Sequence, residues 1–336
     1  MSADTQPEAP VTEVADSLRR SRSTSVADLA LQVGIIGIGA VLFTAFALSS
    51  SSFASGGNLR NILMQVSVVG VVAIGETIVM LTGGIDLSVG SVVLFSSVVM
   101  SSLSVNHGWS PVLAVLVGLG AGLAVGLLNG IVAIGFGIEP IIVTLGTLLI
   151  AGGLGQILLN NAFLTVTSHA FTGAATVKFV GIPLMVWIML ALYAAAMVLM
   201  YRTSFGRSVY AIGGNRPAAR LAALPVKRRL IAVYALSGLL AGVAGYLEVG
   251  QLGVISQNDG SGMEFSAILA VLVGGLSVKT GGVGRVERTL IGAVIAGMIS
   301  NFLVLKGVSG SFEQAAVGGL ILVAVLGDHA LRRGRT

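Results

Sequence analysis

Two carboxylates ten residues apart, Glu76 and Asp86, stand in a chain of 336 residues of which only 10% are charged. Glu76 lies inside an apolar run. An acid held within a bilayer faces the bundle interior or a wet cavity, where it marks an ion or solute pathway. On one straight helix the pair would be about 15 Å apart. Asp86 belongs to "TGGIDLSVGS", Thr82 to Ser91. Gly83-Gly84 breaks a helix there, and Asp86 and Ser88 have side chains that satisfy free N–H groups at the start of the next. Two readings are open. The stretch is a helix cap near the membrane surface, or it is a re-entrant break beside a translocation path. Non-helical backbone at that depth is tolerated only when buried in protein or lining water. An acid near the bilayer centre costs about 3 kcal/mol. The pathway candidates are therefore Glu76, Thr82, Gly83, Gly84, Asp86 and Ser88. Glu248 and Gln251 end a later apolar run and precede "SQNDGSG", which contains Asn258. These three form a polar mouth able to admit a hydroxylated solute or to touch an external protein. Glu139, just before Pro140, reads as a helix-start acid at the interface.

Other chemistries are poorly supplied. There is no cysteine, hence no disulfide or thiolate chemistry. His107, His169 and His329 are scattered without metal-ligand spacing. "GGLSVKT", Gly274 to Thr280, lacks the glycine directly before its lysine and follows an apolar span, so it makes no phosphate cradle. The expectation is a transport subunit that binds no cofactor and does not hydrolyse ATP. Two rivals remain. One is an ion-coupled secondary carrier using Glu76 and Asp86; the other is a membrane anchor that transports nothing.

The elements that must position these residues are membrane helices. Hydrophobic residues make up 55% of the chain. Apolar runs of roughly 20 residues recur, the length needed to cross a bilayer core. They fall near 29–50, 62–82, 87–104, 111–134, 140–159, 182–201, 230–250, 264–277, 289–305 and 312–330. The predicted fold class is an all-α polytopic membrane protein of about ten transmembrane helices, with broken helices near the pathway. Residues 1–28 read as a disordered cytoplasmic tail, 29–330 as the transmembrane domain and 331–336 as a basic cytoplasmic tail. With both termini inside, sixteen of the nineteen Lys and Arg fall on the cytoplasmic side, and only Arg60, Lys178 and Lys306 outside. Basic residues hold loops inside, which supports this orientation and explains the net charge of +5 without nucleic acid. Gly118, Gly122, Gly126 and Gly130 form a smooth stripe for close helix packing. "LTGGIDLSVGS" from Leu81 and "LVGGLSVKTGG" from Leu272 are a faint internal echo of the kind found in transporters.

One basic island interrupts the oil. "FGRSVYAIGGNRPAARLAALPVKRR", Phe205 to Arg229, lies in the loop 202–229 and has no acidic residue. Asn215-Arg216-Pro217 starts a helix, Ala218 to Leu224 continues it, and Pro225 ends it. Two turns alone are marginal in water, so the segment is either a docking helix or a plain topology-fixing loop.

Together "LTGGIDLSVGS", "IVTLGT", "FGRSVYAIGGNRPAARLAALPV", "SGLLAGVAG" and "GSGMEF…VLVGG" resemble the permease subunits of bacterial ABC importers of the ribose, xylose and galactose type. The resemblance runs from about residue 30 to 330. It implies a multi-pass protein of the bacterial cytoplasmic membrane that moves a monosaccharide or related polyol. It further implies a second permease subunit, identical or related, a cytoplasmic ATP-binding subunit that consumes the ATP, and an external solute-binding protein. Asn215 to Leu224 then correspond to the coupling loop, with Gly213, Gly214, Asn215, Ala218, Ala219, Ala223 and Pro225 as contact candidates. The chain departs from the family pattern at Pro217 and at Ala223, where a glycine is usual. It departs also at Gln251 and Ser266, where Arg and Asp are common.

Overall fold

The computed structural model describes residues 11–160, 162–277 and 281–333, with side chains for those between 29 and 326. Its order is α1 (Val11–Ser49), α2 (Gly56–Leu81), α3 (Val89–Val105), α4 (Pro111–Phe136), α5 (Pro140–Leu158), β1 (Leu164–Thr165), α6 (His169–Thr176), β2 (Lys178–Phe179), β3 (Ile182–Pro183), α7 (Leu184–Arg202), α8 (Ser204–Gly214), α9 (Arg216–Leu221), α10 (Val226–Leu252), β4 (Val254–Ile255), α11 (Met263–Val273), α12 (Val286–Leu305) and α13 (Gly310–Arg333). The strands make two short antiparallel pairs: β1 with β4, Leu164 opposite Ile255, and β2 with β3, Lys178 opposite Pro183.

Among the described residues, seven helices are long and apolar enough to cross a membrane, namely α1 from Leu29 onward, α2, α4, α5, α7, α10 and α12. Val89–Val105, Met263–Val273 and Gly310–Leu326 are shorter apolar helices. Every apolar run expected from the sequence coincides with one of these ten. Proline at the first turn starts α4 and α5, where the missing N–H costs nothing. Ser55 caps α2 by accepting from the Asn58 amide at 3.3 Å.

Two boundaries differ from expectation. α1 reaches back to Val11, into the stretch read as a disordered tail. Residues 11–28 contain no Gly or Pro to stop a helix; residues 1–10, with Pro7 and Pro10, lie outside the described residues, as do 334–336. The run near 264–277 is helical only to Val273, because Gly274 caps α11 and Gly275 takes a φ of +86°. Eleven residues span about 16 Å, half a bilayer core, and residues 274–277 continue the chain without helix.

α2 and α10 form the centre. α2 is buried almost all round in its second half, from Val66 to Leu81. α10 lies between α2 and the glycine stripe of α4. The stripe is buried as expected, and a Cβ on Gly122 would sit 2.5 Å from the Gly238 carbonyl oxygen. Around the centre, α1, α4 and α5 turn large apolar side chains outward, among them Val41, Leu116, Leu149 and Ile157. Water does not tolerate such a continuous apolar face; lipid does.

The two ends of the bundle are chemically different. At one, Lys306 donates to the Ser49 carbonyl at 2.7 Å, Phe46 stacks on Phe302, and Asn58 and Asn301 exchange reciprocal hydrogen bonds of 2.8 and 3.0 Å. At the other, the Gly282 amide donates to the Leu81 carbonyl at 2.7 Å, and α8 and α9 lie beside them.

Candidate functional site

The break after α2 brings Glu76 and Asp86 together. Thr82 caps the helix and Gly83 takes a φ of +81°, so the Gly84 amide turns back to the Val79 carbonyl at 3.3 Å. The chain reverses, and the Asp86 amide donates to both Glu76 carboxylate oxygens at 3.3 Å. The separation of about 15 Å along one straight helix therefore does not apply. Asp86 Oδ1 accepts from the Ser88 amide at 3.0 Å and from Ser88 Oγ at 2.6 Å; Oδ2 accepts from Ser237 Oγ of α10 at 2.9 Å. Asn129 of α4 donates to Ser88 Oγ at 2.9 Å and accepts from Thr147 Oγ1 of α5. The Leu87 amide donates to Thr144 Oγ1 at 3.2 Å. One break in one hairpin thus ties α2, α3, α4, α5 and α10 together. Asp86 is 1% and Glu76 0% exposed, which places the break inside the protein bundle. Ser88 makes no side-chain bond to the amides of α3; of the two carboxyl roles expected, capping is confined to Asp86 and its own turn. All four carboxylate oxygens accept a hydrogen bond from the chain itself.

Glu248, Gln251 and Asn258 lie elsewhere, toward the end of the bundle where α10 finishes. The loop between β4 and α11 folds inward, until Gly260 touches Gly90 and the α3 backbone; a Cβ on Gly260 would lie 2.2 Å from the Gly90 carbonyl oxygen. Glu248 Oε1 accepts from the Gly260 amide at 3.3 Å and holds the loop there. A cavity of about 340 Å³ opens on one side, lined by Gln65, Glu248, Gln251, Ser266, Ser300 and Glu313 among others. A second of about 320 Å³ lies on the other, lined by Asn258, Asp259, Gln156 and Glu264 among others. Ser261 lines both.

The basic island folds into two short helices at the opposite end of the bundle. In α9, Asn215 caps the helix by accepting from the Ala218 amide at 2.9 Å. The helix stops at Leu221, earlier than expected, because Ala223 adopts a left-handed φ of +57°. The Ala223 amide turns to the Arg220 carbonyl and the Leu224 amide to that of Ala219, the paired bonds of a Schellman stop. Ala219 points inward, onto Ile212, Val226 and Leu230. Of the contact candidates, Ala219 is thus buried in the chain itself, 4% exposed, and anchors the helix. The exposed side carries Asn215, Ala218, Leu221, Ala222, Ala223 and Pro225, with Leu221 90% exposed. Gly213 is pressed against the end of α2: a Cβ there would lie 1.9 Å from the Leu81 carbonyl oxygen and 2.4 Å from the Gly282 nitrogen. Gly214 has open space. Arg216 Nη2 donates to the Thr82 carbonyl at 3.3 Å, and Tyr210 Oη to the Gly284 carbonyl at 3.0 Å. Burial pushes the Tyr210 phenol up, so it stays a neutral donor.

Sequence reading missed Asn129, Thr144, Thr147 and Ser237 in the network, and Gln65, Ser266, Ser300 and Glu313 in the cavity. Asn129 and Gln65 carried a signal, as lone carboxamides inside apolar runs. Hydroxyls carried none, since Ser and Thr satisfy themselves within any helix, as Thr77 does by donating to the Ala73 carbonyl.

Comparison with known proteins bears on both regions. Residues 58–326 match the family described as the branched-chain amino acid transport system permease component. The ribose import permease protein RbsC of Escherichia coli K12 is 38% identical over 293 residues, covering 86% of this chain and 91% of that protein. Its namesake in Bacillus subtilis is 37% identical over 291 residues, covering 86% and 90%. The L-arabinose ABC transporter permease protein AraH of Azospirillum brasilense is 34% identical over 337 residues, covering 100% and 98%. No solved structure gives a significant match. With a helical bundle of membrane length, a buried helix break and a match over most of its residues, the chain belongs to the permease-component family of ABC importers.

Proposed function

We propose that this chain forms half of the membrane conduit of an ATP-driven importer for a monosaccharide or related polyol, and that the Asn215–Pro225 segment is where a separate ATPase grips it. The supporting observation is the joint at that end of the bundle. An exposed surface centred on Leu221 stands on an anchor, Ala219, and is bonded through Arg216 to the Thr82 carbonyl. Thr82 opens the break that carries the Glu76–Asp86 network. A push on α9 therefore reaches the centre of the bundle through the Arg216 hydrogen bond and the packing beneath Ala219. ATP binding closes the partner subunits, and the differential contact shifts the spans between two states.

In this reading all ten apolar helices serve as spans, α11 with its non-helical continuation, and both termini are cytoplasmic. The network of Glu76, Asp86 and Ser88 is a structural hub beside the path, and Glu248, Gln251 and Asn258 belong to its outer mouth. A second permease subunit supplies the other wall, an external binding protein delivers the solute, and the chain binds no cofactor; ATP belongs to the partner. The sequence has no Gly-Lys-Ser/Thr for a phosphate loop. Sugar is the solute class because the relatives are named for ribose and arabinose import. The ion-coupled reading is not carried forward, because the network carboxylates are occupied by the chain's own donors.

Reconstitution into vesicles tests this. Uptake of radiolabelled ribose, fructose or arabinose is expected only with the ATPase subunit, the binding protein and ATP present. Leu221→Asp is expected to lower ATPase co-purification and uptake by at least about tenfold, the loss of one well-packed apolar contact, with normal membrane yield. Uptake driven by an ion gradient without ATPase defeats the proposal.

A further inference from the structure

The larger outer cavity carries a charge pattern that the conduit role does not require. It is bounded by α2, α10, α11, α12 and α13, within a single chain. Its lining holds two carboxylates, Glu248 and Glu313, the carboxamides of Gln65, Gln251 and Gln314, and serine hydroxyls. None of the lining residues is basic. Glu248 is the most constrained of these. It is 9% exposed, and its Oε1 is used by the Gly260 amide. Its other oxygen, Oε2, is buried with no hydrogen-bond partner among the described residues. A buried acceptor left unpaired costs about 1–3 kcal/mol, more for a charged group. Glu248 lines the cavity, so a turn of its carboxyl toward a donor arriving there recovers that cost.

We infer that this cavity is a binding site within the protomer for a hydroxyl-rich solute without negative charge, in which Glu248 Oε2 accepts a solute hydroxyl. The inference rests on the importer reading above and adds to it a site, an acceptor atom and a rule of exclusion. Its volume of about 340 Å³ lies at the small end of small-molecule sites. Carboxamides and serines offer both donors and acceptors, which suits alternating hydroxyls. The two carboxylates repel an anion at short range in a medium poorer than water, so sugar phosphates and uronates are turned away while neutral sugars enter. The loop pinned by Glu248 separates this site from the second cavity, which shares Ser261.

The absence of cysteine makes the test direct. Ser266→Cys places one thiol in the cavity lining, and Leu221→Cys places one on the exposed docking surface as a reference. Both are measured in the full-length chain without the ATPase subunit, in vesicles permeable to the reagents. A trimethylammonium thiosulfonate is expected to modify Cys at 266 about tenfold faster than its sulfonate counterpart, after normalising to the same pair of rates at 221, the size of field focusing in a charged cleft. Glu248→Gln, which keeps an oxygen for the Gly260 amide, and Glu313→Gln are each expected to shrink that ratio severalfold. In the uptake assay, Glu248→Gln is expected to raise KM about tenfold, the value of one charge-assisted hydrogen bond, with kcat retained. Equal normalised rates, faster anionic labelling, a thiol at 266 that stays unreactive while 221 reacts, or an unchanged KM each overturn the site. Wild-type uptake without ATP dependence overturns the importer reading and leaves the labelling to decide the cavity separately.

Discussion

Ala223 occupies a position that three other helices of this chain fill with glycine. α2, α11 and α12 all end in the same paired turn, with Gly83, Gly275 and Gly307 left-handed at φ of +81°, +86° and +72°. α9 ends identically with an alanine at +57°. A Cβ there costs about 1–2 kcal/mol, offset in part by the smaller entropy an alanine loses on ordering. Ala223→Gly is therefore expected to strengthen the stop of α9 by about 0.5–1 kcal/mol. Hydrogen exchange checks it: the Leu224 amide, bonded to the Ala219 carbonyl at 3.1 Å, gains about two- to fivefold protection. Unchanged or faster exchange means that the turn carries no strain to relieve. Polar residues follow the same logic of local satisfaction. Asp86 is stable in the bundle because Ser88 and Ser237 fill its oxygens, a partner set spread over 151 positions of sequence.

Among elements, the junction of α2, α8 and the segment before α12 is one of the tightest, matched by the approach of Gly292 of α12 to Ala270 of α11. Backbones meet there without intervening side chains, at Leu81, Gly213 and Gly282. Gly213→Ala forces a methyl to 1.9 Å from a carbonyl oxygen, which only a backbone shift relieves. Its neighbour Gly214 faces open space and keeps a negative φ. Gly213→Ala is thus expected to reduce uptake more than about tenfold, as overpacking that displaces a coupling element by a fraction of an ångström can. Gly214→Ala is expected to stay within about twofold, as an unobstructed surface change does. Equal effects of the two variants in the vesicle assay would show that the close approach is not what couples the docking segment to the spans. The sequence marks Gly213-Gly214 as a pair; it does not say which of the two is against a wall.

For the molecule as a whole, the distribution of charge sets the direction of insertion. Sixteen of nineteen basic residues belong to loops and tails assigned to one side. With that assignment the proposed docking surface around Leu221 is expected to face the cytoplasm, and the hairpin of β2 and β3, with Val180 78% exposed at its turn, to face outward. A membrane-impermeant maleimide applied to intact cells that make this chain without its ATPase subunit is expected to label Val180→Cys and to spare Leu221→Cys until the membrane is opened. The reverse pattern would invert the molecule and remove the docking surface from any cytoplasmic partner.

Composition and periodicity alone dictated the all-helical membrane class, the place of each apolar helix within a few residues, the buried glycine stripe of α4 and the end of α2 at Gly83-Gly84. These depend on interactions within one turn or one run, or on the bulk cost of putting charge into lipid, and such terms can be read residue by residue. Which face of α9 is buried, which Glu248 oxygen is left unpaired beside the larger cavity, and that Glu76 meets Asp86 across a reversed chain were decided by tertiary packing. Those outcomes turn on side chains such as Ser237, Asn129 and Glu313, brought to one place from distant spans; burial energy depends on neighbours, and a linear sequence does not contain its neighbours in space.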